Sequence, residues 1–571
     1  MVETIWEMAE EQVEHLFCDS EIEPLIQKIL IQKGITSIDE MYEFLSPKPQ
    51  KTYDPFLMKN MDAIVKEIIR GIEAQKSIWI YGDYDVDGIT SIALLMEFLG
   101  KFTSNLNYYI PKREEEGYGL NCDAIQEIKN AGADLIITVD CGSTSVKEVE
   151  LAKSLGMDII ITDHHNLSDE IPDCLILNPK QKDCAYPFSD LCGCGVVFKL
   201  VQALQREMNA PKKYLSDLLD LVALATVADV VPLIDENRTI LKYGMRKINQ
   251  PVRPGLKTLI ERVGLKDKSI HVGHIGFIIA PHFNASGRID DARIAVDLLL
   301  EKEQKKIEEI VVHLIRCNTE RKAIQEEGLK ICERKVEAHY LDDLFFVLDA
   351  EDTHEGVIGI IAGKIRDRYY RPVLVVTHSQ EAGILKGSGR SIDGLDMYEE
   401  MKKCSDLFIK FGGHKNACGF SIQEENLKEL RERLNQQASI LKARDPDLFT
   451  KKIKIASELK PSEITKKLIS QLKKLEPYGL ENEKPCFLIR QLKIQPSPGI
   501  ITMGKERNHL KFKAISNIYK DTDPVEIVGF DMAEFYIDRL DSPDIVDVVG
   551  FPIINEWNGY ENIQFLIDDM K

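Results

Sequence analysis

Carboxylates alternate along one short stretch of this 571-residue sequence. Asp83, Asp85 and Asp87 follow the apolar run 77–81 and precede a second apolar run, 89–99. Like charges held this close repel each other unless cations offset them, so the spacing predicts a divalent-metal site. The two runs are typical of a buried strand followed by a helix. The carboxylates would then lie at the carboxyl end of a strand, where open α/β sheets bind their ligands.

A calcium-binding EF-hand loop is the first alternative, because Asp-x-Asp-x-Asp-Gly also opens that loop. An EF-hand needs a bidentate Glu at its twelfth position and a helix before it. Counted from Asp83, the twelfth position is Leu94, and a strand-like run precedes the loop. A solvated turn rich in aspartate is the second alternative, and the apolar flanks weaken it. The sequence therefore favours a metal site on a sheet.

Three further segments end an apolar run with groups that can bind a metal. They are Asp140, the triplet Asp163-His164-His165, and Asp229. Each alone has an ordinary explanation, such as a helix cap, a surface histidine or a turn. Their shared position at the ends of apolar runs favours one common site. Oxygen and imidazole ligands suit Mn²⁺ or Mg²⁺, and a bridging carboxylate with ligands on each side is typical of two-metal hydrolases.

The surrounding elements predict a protein of several α/β parts. Residues 1 to 60 have a helical pattern that gives way to proline-rich loops, and residues 236 to 340 are mainly helical, with a long charged helix over 300–336. A second α/β segment starts at 344, and residues 450 to 571 alternate in a way that predicts a small barrel. Between 60 and 235, β-like runs alternate with helical patterns and predict a mostly parallel sheet with helices on both faces; the runs are 77–81, 106–110, 135–139, 158–161 and 175–177.

Composition is that of an ordinary globular protein, with 44% hydrophobic and 29% charged residues. The acidic start lacks the apolar segment of a signal peptide, and no stretch has the length of a membrane span, so a cytoplasmic location without membrane contact is expected. The net charge of −20 argues against nucleic acid unless a local basic groove exists. Buried thiols are favoured over a zinc site for the cysteine group Cys174, Cys184, Cys192 and Cys194, whose spacings match no common zinc module.

The acidic and histidine set, with Asp163-His164-His165 at its centre, resembles the DHH phosphoesterase superfamily. The first motif, residues 81–91, is most similar to the single-strand-specific 5′→3′ exonucleases of that superfamily, and the resemblance covers nearly the whole chain. It implies an α/β fold: a DHH domain with a mostly parallel sheet, a long connecting helix, a DHHA1 α/β domain and a C-terminal β-barrel of OB type. The expected boundaries are 1–60 for an N-terminal helical lead-in, 61–235 for the DHH catalytic domain, 236–340 for the helical connector, 341–445 for the DHHA1 domain and 446–571 for the OB-like domain.

The resemblance also implies roles for the site residues. Two ions, Mn²⁺ or Mg²⁺, would be bound, with Asp140 as the bridge. His165 would face the scissile phosphate as a stabiliser or proton donor. Asp87 is either a ligand or a neighbour of the ligands, and the spacing leaves the individual roles of Asp83 and Asp87 open. The expected metal set is Asp83, Asp85, Asp87, Asp140, His164 and Asp229, and the expected catalytic set is Asp85, Asp140, His164, His165 and Asp229.

Three glycine-containing motifs resemble the substrate-binding elements of these exonucleases. They are 284–288, 387–391 and 411–414, the last two in the DHHA1 segment. Glycines let a backbone approach a phosphate, and arginine supplies a forked positive charge. Glycine turns that carry a surface arginine or histidine are the alternative. Residues expected to bind substrate are Arg288, Ser388, Arg390 and His414, with Arg113 a weaker candidate. Two positions depart from the usual pattern: His282 replaces a more basic residue, and Thr353 replaces a tryptophan.

The expected function is single-strand-specific 5′→3′ hydrolysis of DNA by two metal ions, in repair and recombination. One alternative is a DHH phosphodiesterase of short oligonucleotides or cyclic dinucleotides. The other is a non-catalytic DNA-binding replication scaffold, whose signature would be missing ligands. A single-stranded-DNA-binding protein and a helicase are the expected partners beside single-stranded DNA, and the chain is expected to be a monomer.

Overall fold

The computed structural model describes residues 3–10, 17, 21–113, 116–117, 119–497, 499–504, 506–519, 523–537, 544–557 and 560–571. It divides into two compact units. The first unit is Ser46–Lys322 with Pro477–Glu483, and the second unit is Met1–Leu45, Ala323–Glu476 and Lys484–Lys571. Among the described residues, no helix combines the length and the apolar composition needed to cross a membrane.

The strands are, in chain order, β1 Thr4–Met8, β2 Ile78–Gly82, β3 Leu106–Tyr109, β4 Leu135–Val139, β5 Asp158–Thr162, β6 Leu175–Leu177, β7 Phe346–Asp349, β8 Val373–His378, β9 Ile384–Arg390, β10 Phe408–His414, β11 Ala417–Gln423, β12 Lys451–Glu458, β13 Cys486–Ile494, β14 Ile501–Met503, β15 His509–Ser516, β16 Val525–Gly529, β17 Ile545–Trp557 and β18 Tyr560–Met570.

The α-helices are α1 Pro24–Gln32, α2 Ile38–Leu45, α3 Met61–Glu73, α4 Val86–Leu99, α5 Cys122–Asn130, α6 Val146–Ser154, α7 Gly193–Glu207, α8 Lys213–Ser216, α9 Leu219–Ala228, α10 Asp235–Asn249, α11 Pro254–Ile260, α12 Val272–His274, α13 Ala280–Ile289, α14 Arg293–Leu300, α15 Gln304–Lys335, α16 Glu355–Tyr369, α17 Met397–Lys402, α18 Leu427–Arg444, α19 Lys466–Lys473 and α20 Ala533–Tyr536. Short π-helical segments cover Glu261–Leu265, Ile275–Ile279 and Val336–Tyr340, and 3-10 turns cover Pro55–Leu57, Ser405–Leu407, Glu424–Asn426 and Pro461–Glu463.

A five-stranded parallel sheet in the order β3-β2-β4-β5-β6 forms the centre of the first unit. Strand β4 is buried along its whole length, as expected of a parallel strand that helices cover on both faces. Helices α3, α4, α7 and α9 share a core with one face, and α5 and α6 pack on the other. The predicted parallel sheet with helices on both faces is therefore confirmed. Its strands bring the residues after Gly82, Val139 and Thr162 to one edge.

Helix α4 begins three residues earlier than its apolar run predicts. It starts at Val86 because the Asp85 carboxylate caps it, accepting hydrogen bonds from the backbone N–H groups of Asp87 at 2.9 Å and Gly88 at 3.1 Å. Asp87 consequently lies in the first helical turn and Asp85 just before it. The three aspartates of the opening motif thus stand in three different backbone settings: after a strand, at a cap and inside a helix.

The second unit contains two sheets. The smaller has the order β10-β11-β9-β8-β7, antiparallel except for the β7–β8 pair, with α16 packed against β8 and β9. In the larger sheet, β13, β17, β18, β16 and β15 pair in a closed cycle, since β13 also pairs with β15. Helix α15 confirms the predicted long charged helix, and the boundary between the two units falls within it.

The N-terminal prediction is wrong in one respect. Residues 4 to 8 form a strand rather than a helix, and β1 pairs in parallel with β12, with Thr4 opposite Lys451. The indole Nε1 of Trp6 donates to Asp569 at 2.8 Å and fixes the strand to the same sheet. A five-residue segment whose only strand partner lies in the C-terminal part of the chain gives no local signal, so tertiary pairing overrides the helical pattern.

Candidate metal centre and phosphate-binding surface

The carboxyl edge of the parallel sheet gathers the predicted metal ligands. Three groups of side chains each present ligand atoms within 4.8 Å of one another: Asp83, Asp85 and Asp140; Asp140, His164 and His165; and Asp87, His164 and Asp229. Asp140 belongs to two of these groups. The predicted set therefore converges in the structure, and a shared Asp140 carboxylate is what a bridge between two ions requires.

His164 connects the groups of ligands. Its Nε2 lies 3.2 Å from Asp140 Oδ1, 3.7 Å from Asp229 Oδ2 and 3.8 Å from Asp87 Oδ2. Burial, with the charge of His165 next to it, lowers the pKa of His164 to about 3. Metal ions bind the neutral form of imidazole, so His164 is already in the protonation state that metal binding requires.

Orphaned polar atoms test whether a cation fits this site. Asp83 Oδ1, Asp140 Oδ1 and His164 Nε2 are buried and find no hydrogen-bond partner among the described residues. A buried polar atom without a partner is costly, and three of them in one cluster call for a ligand. Their donor set of oxygen and imidazole fits Mn²⁺ or Mg²⁺.

Thiolates take no part in this cluster. Cys192 and Cys194 are fully buried, and burial raises the pKa of both thiols well above the usual value. None of the four grouped cysteines joins a potential metal-binding group in the part of the chain that the structure describes. Cys174 and Cys184 are only half-buried, so the prediction of buried thiols describes two of the four.

Asp87 has a structural task that the sequence left open. Its Oδ2 accepts from the N–H of Gly193 at 2.6 Å, and its Oδ1 accepts from the N–H of Cys194 at 2.7 Å. These are the first amides of α7, so Asp87 anchors the positive end of that helix beside the cluster. Burial and the charge of Asp85 nevertheless raise the pKa of Asp87 to about 7.

Asp163 organises the histidine pair, a function that the sequence did not assign to it. Its Oδ1 accepts from the N–H groups of His164 at 2.7 Å and His165 at 3.1 Å and from His165 Nδ1 at 2.7 Å, while Oδ2 accepts from Ser143 N–H at 2.9 Å. Burial lowers the pKa of His165, but the contact with Asp163 outweighs it and raises that pKa to about 9. His165 is therefore protonated at neutral pH. In the sequence, the feature that points to this role is the position of Asp163 directly after a buried strand.

Asp140 adopts a left-handed backbone conformation, with φ at 59°, and lies directly against α7. A Cβ atom built on Gly193 would fall 2.5 Å from Asp140 Oδ1 and 2.6 Å from its Cβ. Only glycine leaves room there for the carboxylate, so Gly193 belongs to the site although it carries no chemistry. Its signal in the sequence, one glycine among cysteines, is weak.

Gly193→Ala is expected to weaken Mg²⁺ binding by about 10- to 100-fold and to destabilise the fold by about 1–3 kcal/mol, because the new methyl group must displace Asp140. Gly363→Ala in α16 is the matched control, since nothing lies within 4 Å of the added atom. That control is expected to stabilise by roughly 0.5–1 kcal/mol without changing metal binding. Calorimetric Mg²⁺ titration and urea unfolding measure both effects, and equal Mg²⁺ affinities in the two variants would contradict this packing argument.

Metal binding is expected to strengthen with pH. Burial and neighbouring aspartates raise the pKa of Asp87 to about 7 and of Asp229 to about 8 in the metal-free protein. Because the folded chain then holds protons that the unfolded chain releases near its ordinary pKa, these groups stabilise the metal-free protein at low pH, and that contribution is lost as pH rises through about 7–8. Mg²⁺ must displace the same protons. The rise in Tm on adding Mg²⁺ should therefore be larger at about pH 8.5 than at about pH 6, and an equal rise at both would contradict the assignment.

Two predicted arginines lie beside Tyr84 of the opening motif. The guanidinium of Arg113 stands over the Tyr84 ring, 5.1 Å from its centroid, and the charge of Arg288 acts on the same hydroxyl. The helix that carries Arg288, α13, is fastened to this motif, since Asn284 Oδ1 accepts from Val86 N–H at 3.1 Å. Asn284, within the motif 284–288, is therefore a further positioning residue.

The remaining predicted substrate residues share one face of the smaller sheet in the second unit. Ser388 and Arg390 alternate along β9, and register places Arg390 opposite Ala417, which pairs with His414. Arg390 donates to Ser388 Oγ at 3.2 Å and to Gly389 O at 2.7 Å. Both side chains lie against α16, where a Cβ on Gly359 would fall 2.9 Å from Ser388 Oγ and 3.0 Å from an Arg390 nitrogen.

Core packing gives Gly387 and Gly389 of this motif a reason that the sequence did not predict. Gly387 and Gly389 face the core rather than the arginine side: a Cβ on Gly387 would enter the Phe420 ring at 2.1 Å, and one on Gly389 would fall 2.6 Å from Leu374. Gly412 and Gly419, paired across β10 and β11, do lie on the open face, with no atom nearer than 4.0 Å. Core packing therefore explains the glycines at 387 and 389, and access to the open face of the sheet explains those at 412 and 419.

The two departures from the usual pattern have local structural reasons. His282 is buried; its Nδ1 meets Ile278 O at 2.7 Å and its Nε2 accepts from Asn318 Nδ2 at 3.1 Å, so it joins α13 to α15. Thr353 donates to Ala350 O at 2.6 Å and lies against Gly328 of α15, where an added Cβ would be 2.9 Å from Thr353 Oγ1. Neither position belongs to the metal cluster.

Comparison with known proteins first defines the class. The DHH family, N-terminal domain model matches residues 77–226, which contain the strand-end aspartates and both histidines, and the DHHA1 domain model matches residues 342–439. The chain therefore has the DHH phosphoesterase architecture. The RecJ OB domain model matches residues 455–569.

Relatives then give the particular family. The chain is 36% identical over 568 residues to the single-stranded-DNA-specific exonuclease RecJ of Bacillus subtilis (strain 168), covering 99% of this chain and 70% of that protein. It belongs to the RecJ family of single-stranded-DNA-specific exonucleases. The crystal structure of RecJ in complex with Mn²⁺ from Thermus thermophilus matches with a TM-score of 0.82 and 26% identity, over 100% of this chain and 80% of that one. The Mg²⁺ complex of RecJ from the same organism matches with a TM-score of 0.77 and 25% identity, over 100% and 78%.

Proposed function

We propose that this chain is a metal-dependent exonuclease that hydrolyses single-stranded DNA from its 5′ end and releases mononucleotides. The observation that carries the proposal is the cluster at the sheet edge, where Asp140 is shared between two ligand groups and three buried ligand atoms find no hydrogen-bond partner among the described residues. The membership in the RecJ family supports the substrate class.

Two ions, Mn²⁺ or Mg²⁺, would be held by Asp83, Asp85, Asp140, His164 and Asp229, with Asp87 beside them. Bound ions supply the acidity that activates water and the positive charge that offsets the phosphoryl oxygens. Asp85 uses one oxygen to cap α4, which fixes the direction of its carboxylate. Asp87 contributes mainly by holding α7 in place, so that Gly193 and the Asp140 carboxylate remain in contact.

His165 is the proposed group that acts on the scissile phosphate. Asp163 orients the imidazole through Nδ1, so that Nε2–H is presented on the other side of the ring. The pKa near 9 keeps the ring cationic at neutral pH, as suits a group that neutralises a phosphate oxygen or protonates the leaving oxygen. Its side chain is 39% exposed, whereas those of Asp140 and His164 are 3% and 10% exposed, so His165 is the most accessible of these three to solvent and substrate.

The face of β9 that carries Ser388 and Arg390 is the proposed site for the terminal 5′-phosphate. A hydroxyl and a forked cation that already contact each other can bind the non-bridging oxygens of a phosphate together. Lys386 extends the same side of the strand, and His414 lies on the row of Arg390. This local basic surface explains how a chain with a net charge of −20 can bind a polyanion. Arg288 and Arg113, beside Tyr84, are proposed to contact the strand in the first unit.

Two alternatives make different demands on the chain. A non-catalytic DNA-binding scaffold has no need of a complete ligand set, and here every expected ligand is present. A phosphodiesterase of short oligonucleotides or cyclic dinucleotides has no need of an OB domain, which here matches residues 455–569. Of the three functions, hydrolysis of long single strands is therefore the best supported.

The experiment compares 5′-phosphorylated strands labelled at either end, with Mn²⁺, Mg²⁺ or EDTA. Early release of labelled mononucleotide from the 5′-labelled strand is expected, and no release from a blunt duplex or in EDTA. Release from the 3′ end, or equal loss from duplex, would overturn the proposal. Faster turnover of a dinucleotide than of a long strand would favour the small-substrate alternative.

The wider setting is part of the proposal. The chain would act in DNA repair and recombination in the cytoplasm, as a monomer, with a single-stranded-DNA-binding protein and a helicase as partners. The proposed domains remain 61–235, 341–445 and 446–571, linked by 236–340 and preceded by 1–60. The three family-model matches fall inside the first three of these ranges and support them.

A further inference from the structure

Phe277 is the most exposed of the large hydrophobic side chains that the structure describes, at 84%. Its neighbours Ile275 and Ile279 are fully buried. Burying a phenylalanine stabilises a fold, so a ring held in solvent forgoes that stabilisation. The residue therefore needs an explanation outside the packing of this chain.

The backbone around Phe277 is fixed rather than loose. Residues Ile275–Ile279 form a π-helical segment between α12 and α13, a conformation that is frequent at functional sites. Ile275 and Ile279 belong to the main core of the first unit, as does Val227 of α9. A Cβ on Gly276 would lie 3.9 Å from Val227 Cγ1, so the segment packs directly on α9.

That contact places the Phe277 segment beside the metal cluster. Val227 precedes the ligand Asp229 by two residues, and Val230, which follows it, is 64% exposed with φ at 56°. The other end of the same helical run contacts the aspartate motif, because a Cβ on Gly287 would lie 2.5 Å from Tyr84 O. Phe277 and Arg288 thus lie beside different ligands of the cluster, on the order of 15 Å apart along the helical run.

We propose that Phe277 is a stacking platform for a base of the single-stranded substrate next to the scissile bond. The inference rests on the proposed function. Arg288 lies at the Tyr84 end, so a strand that contacts Arg288 and whose scissile phosphodiester lies at the cluster continues past Asp229 toward Phe277. Every base has a π-face, so one exposed ring binds any sequence.

A single ring suits a base better than it suits a protein partner. Protein interfaces need a contiguous apolar area, whereas the residues next to Phe277 along the segment are Gly276 and the half-buried Ile278. The nearby exposed side chain His271 is polar and stacks on His274, with ring centroids 3.7 Å apart. Stacking of a base therefore explains the exposure of Phe277 better than docking of a protein partner does.

The test uses 5′-phosphorylated single strands in which one abasic residue is moved through the first nucleotides. Phe277→Ala is expected to lower kcat/KM on the intact strand by about tenfold, Phe277→Trp to restore it, and Phe277→Leu not to. At one position, the abasic residue should remove the difference between wild type and Phe277→Ala, because both changes remove the same contact. Val252→Ala, at a 67% exposed apolar residue in the same unit, is the control. It should change neither kcat/KM on the intact strand nor the effect of the abasic residue.

A binding measurement separates this inference from the proposed function. In Phe277→Trp without divalent metal, strand binding should quench the new indole fluorescence relative to wild type, and the abasic residue at the critical position should abolish that quenching. Quenching with no cleavage by wild type would support the inference and reject the exonuclease. The stacking platform would be overturned if wild type cleaves and the effects of Phe277→Ala and of the abasic residue on kcat/KM are additive at every position. It would also be overturned if Phe277→Leu has the kcat/KM of wild type.

Discussion

Replacing Asp140 with asparagine is expected to lower metal-dependent cleavage on the order of 10³-fold or more and to raise the Tm of the metal-free protein. Activity falls because the shared carboxylate of two ligand groups becomes an amide. Stability rises because burial and the charges of Asp87, Asp85, Asp229 and Asp83 raise the pKa of Asp140, which means that its ionised form is unfavourable without metal. Opposite signs for activity and stability are the signature of a functional carboxylate.

Asparagine is the informative replacement at this position. Asp140 has φ at 59°, and asparagine tolerates the left-handed region, whereas alanine would add backbone strain. Thermal unfolding in EDTA and initial rates with saturating Mg²⁺ or Mn²⁺ give the two readouts. A lower metal-free Tm, or retained metal-dependent cleavage, would contradict the bridging assignment.

Asp220→Asn provides the matched control, since it changes another buried aspartate of the same unit outside the cluster. Asp220 Oδ2 pairs with Arg253 Nε at 3.0 Å, and both side chains are buried. Breaking this pair is expected to destabilise by about 1–3 kcal/mol, while cleavage per folded molecule stays close to that of wild type. The two substitutions should therefore move Tm in opposite directions, and Asp140→Asn alone should lower cleavage.

The convergence of the candidate ligands could be predicted from the sequence because parallel strands impose it. An aspartate directly after a buried run must lie at the carboxyl edge, and β2, β4 and β5 are adjacent in the sheet, so Asp83, Asp140 and His164 converge without further information. The long charged helix was predictable for a similar reason, since its pattern is local. Where the motif resembled known enzymes, the resemblance added roles that the spacing left open.

What the sequence could not predict depends on contacts between distant segments. Strand β1 exists only because β12 pairs with it, and Gly193 matters only because the Asp140 carboxylate occupies the space of its missing side chain. The glycines of the β9 motif were expected to let the backbone approach a phosphate, and the sequence did not show that Phe420 and Leu374 fill the space beside Gly387 and Gly389. A residue type states what is possible, and packing decides which possibility is used.

Arg390→Ala is expected to weaken the use of 5′-phosphorylated strands by about 1.5–3 kcal/mol, or roughly 10- to 150-fold in kcat/KM, which is what a hydrogen-bonded ion pair to phosphate contributes. The effect on strands with a 5′-hydroxyl should be much smaller, because the ligand of the guanidinium is then missing. Arg390→Lys should recover only part of the loss, since a point charge lacks the fork that contacts Ser388 and a phosphate together.

Arg366→Ala is the control for Arg390, because it removes an arginine from the neighbouring helix α16 whose guanidinium pairs with Asp367 at 2.6 Å. It should leave the preference for 5′-phosphate unchanged. Gly359→Ala gives an independent approach to the same site, since its methyl group would meet Ser388 Oγ and the Arg390 guanidinium within about 3.0 Å. It should reduce the 5′-phosphate preference while Arg390 itself is retained. If Arg390→Ala weakens phosphorylated and hydroxyl strands equally, the arginine binds the strand in general or supports the sheet, and recognition of the terminal phosphate must be assigned elsewhere.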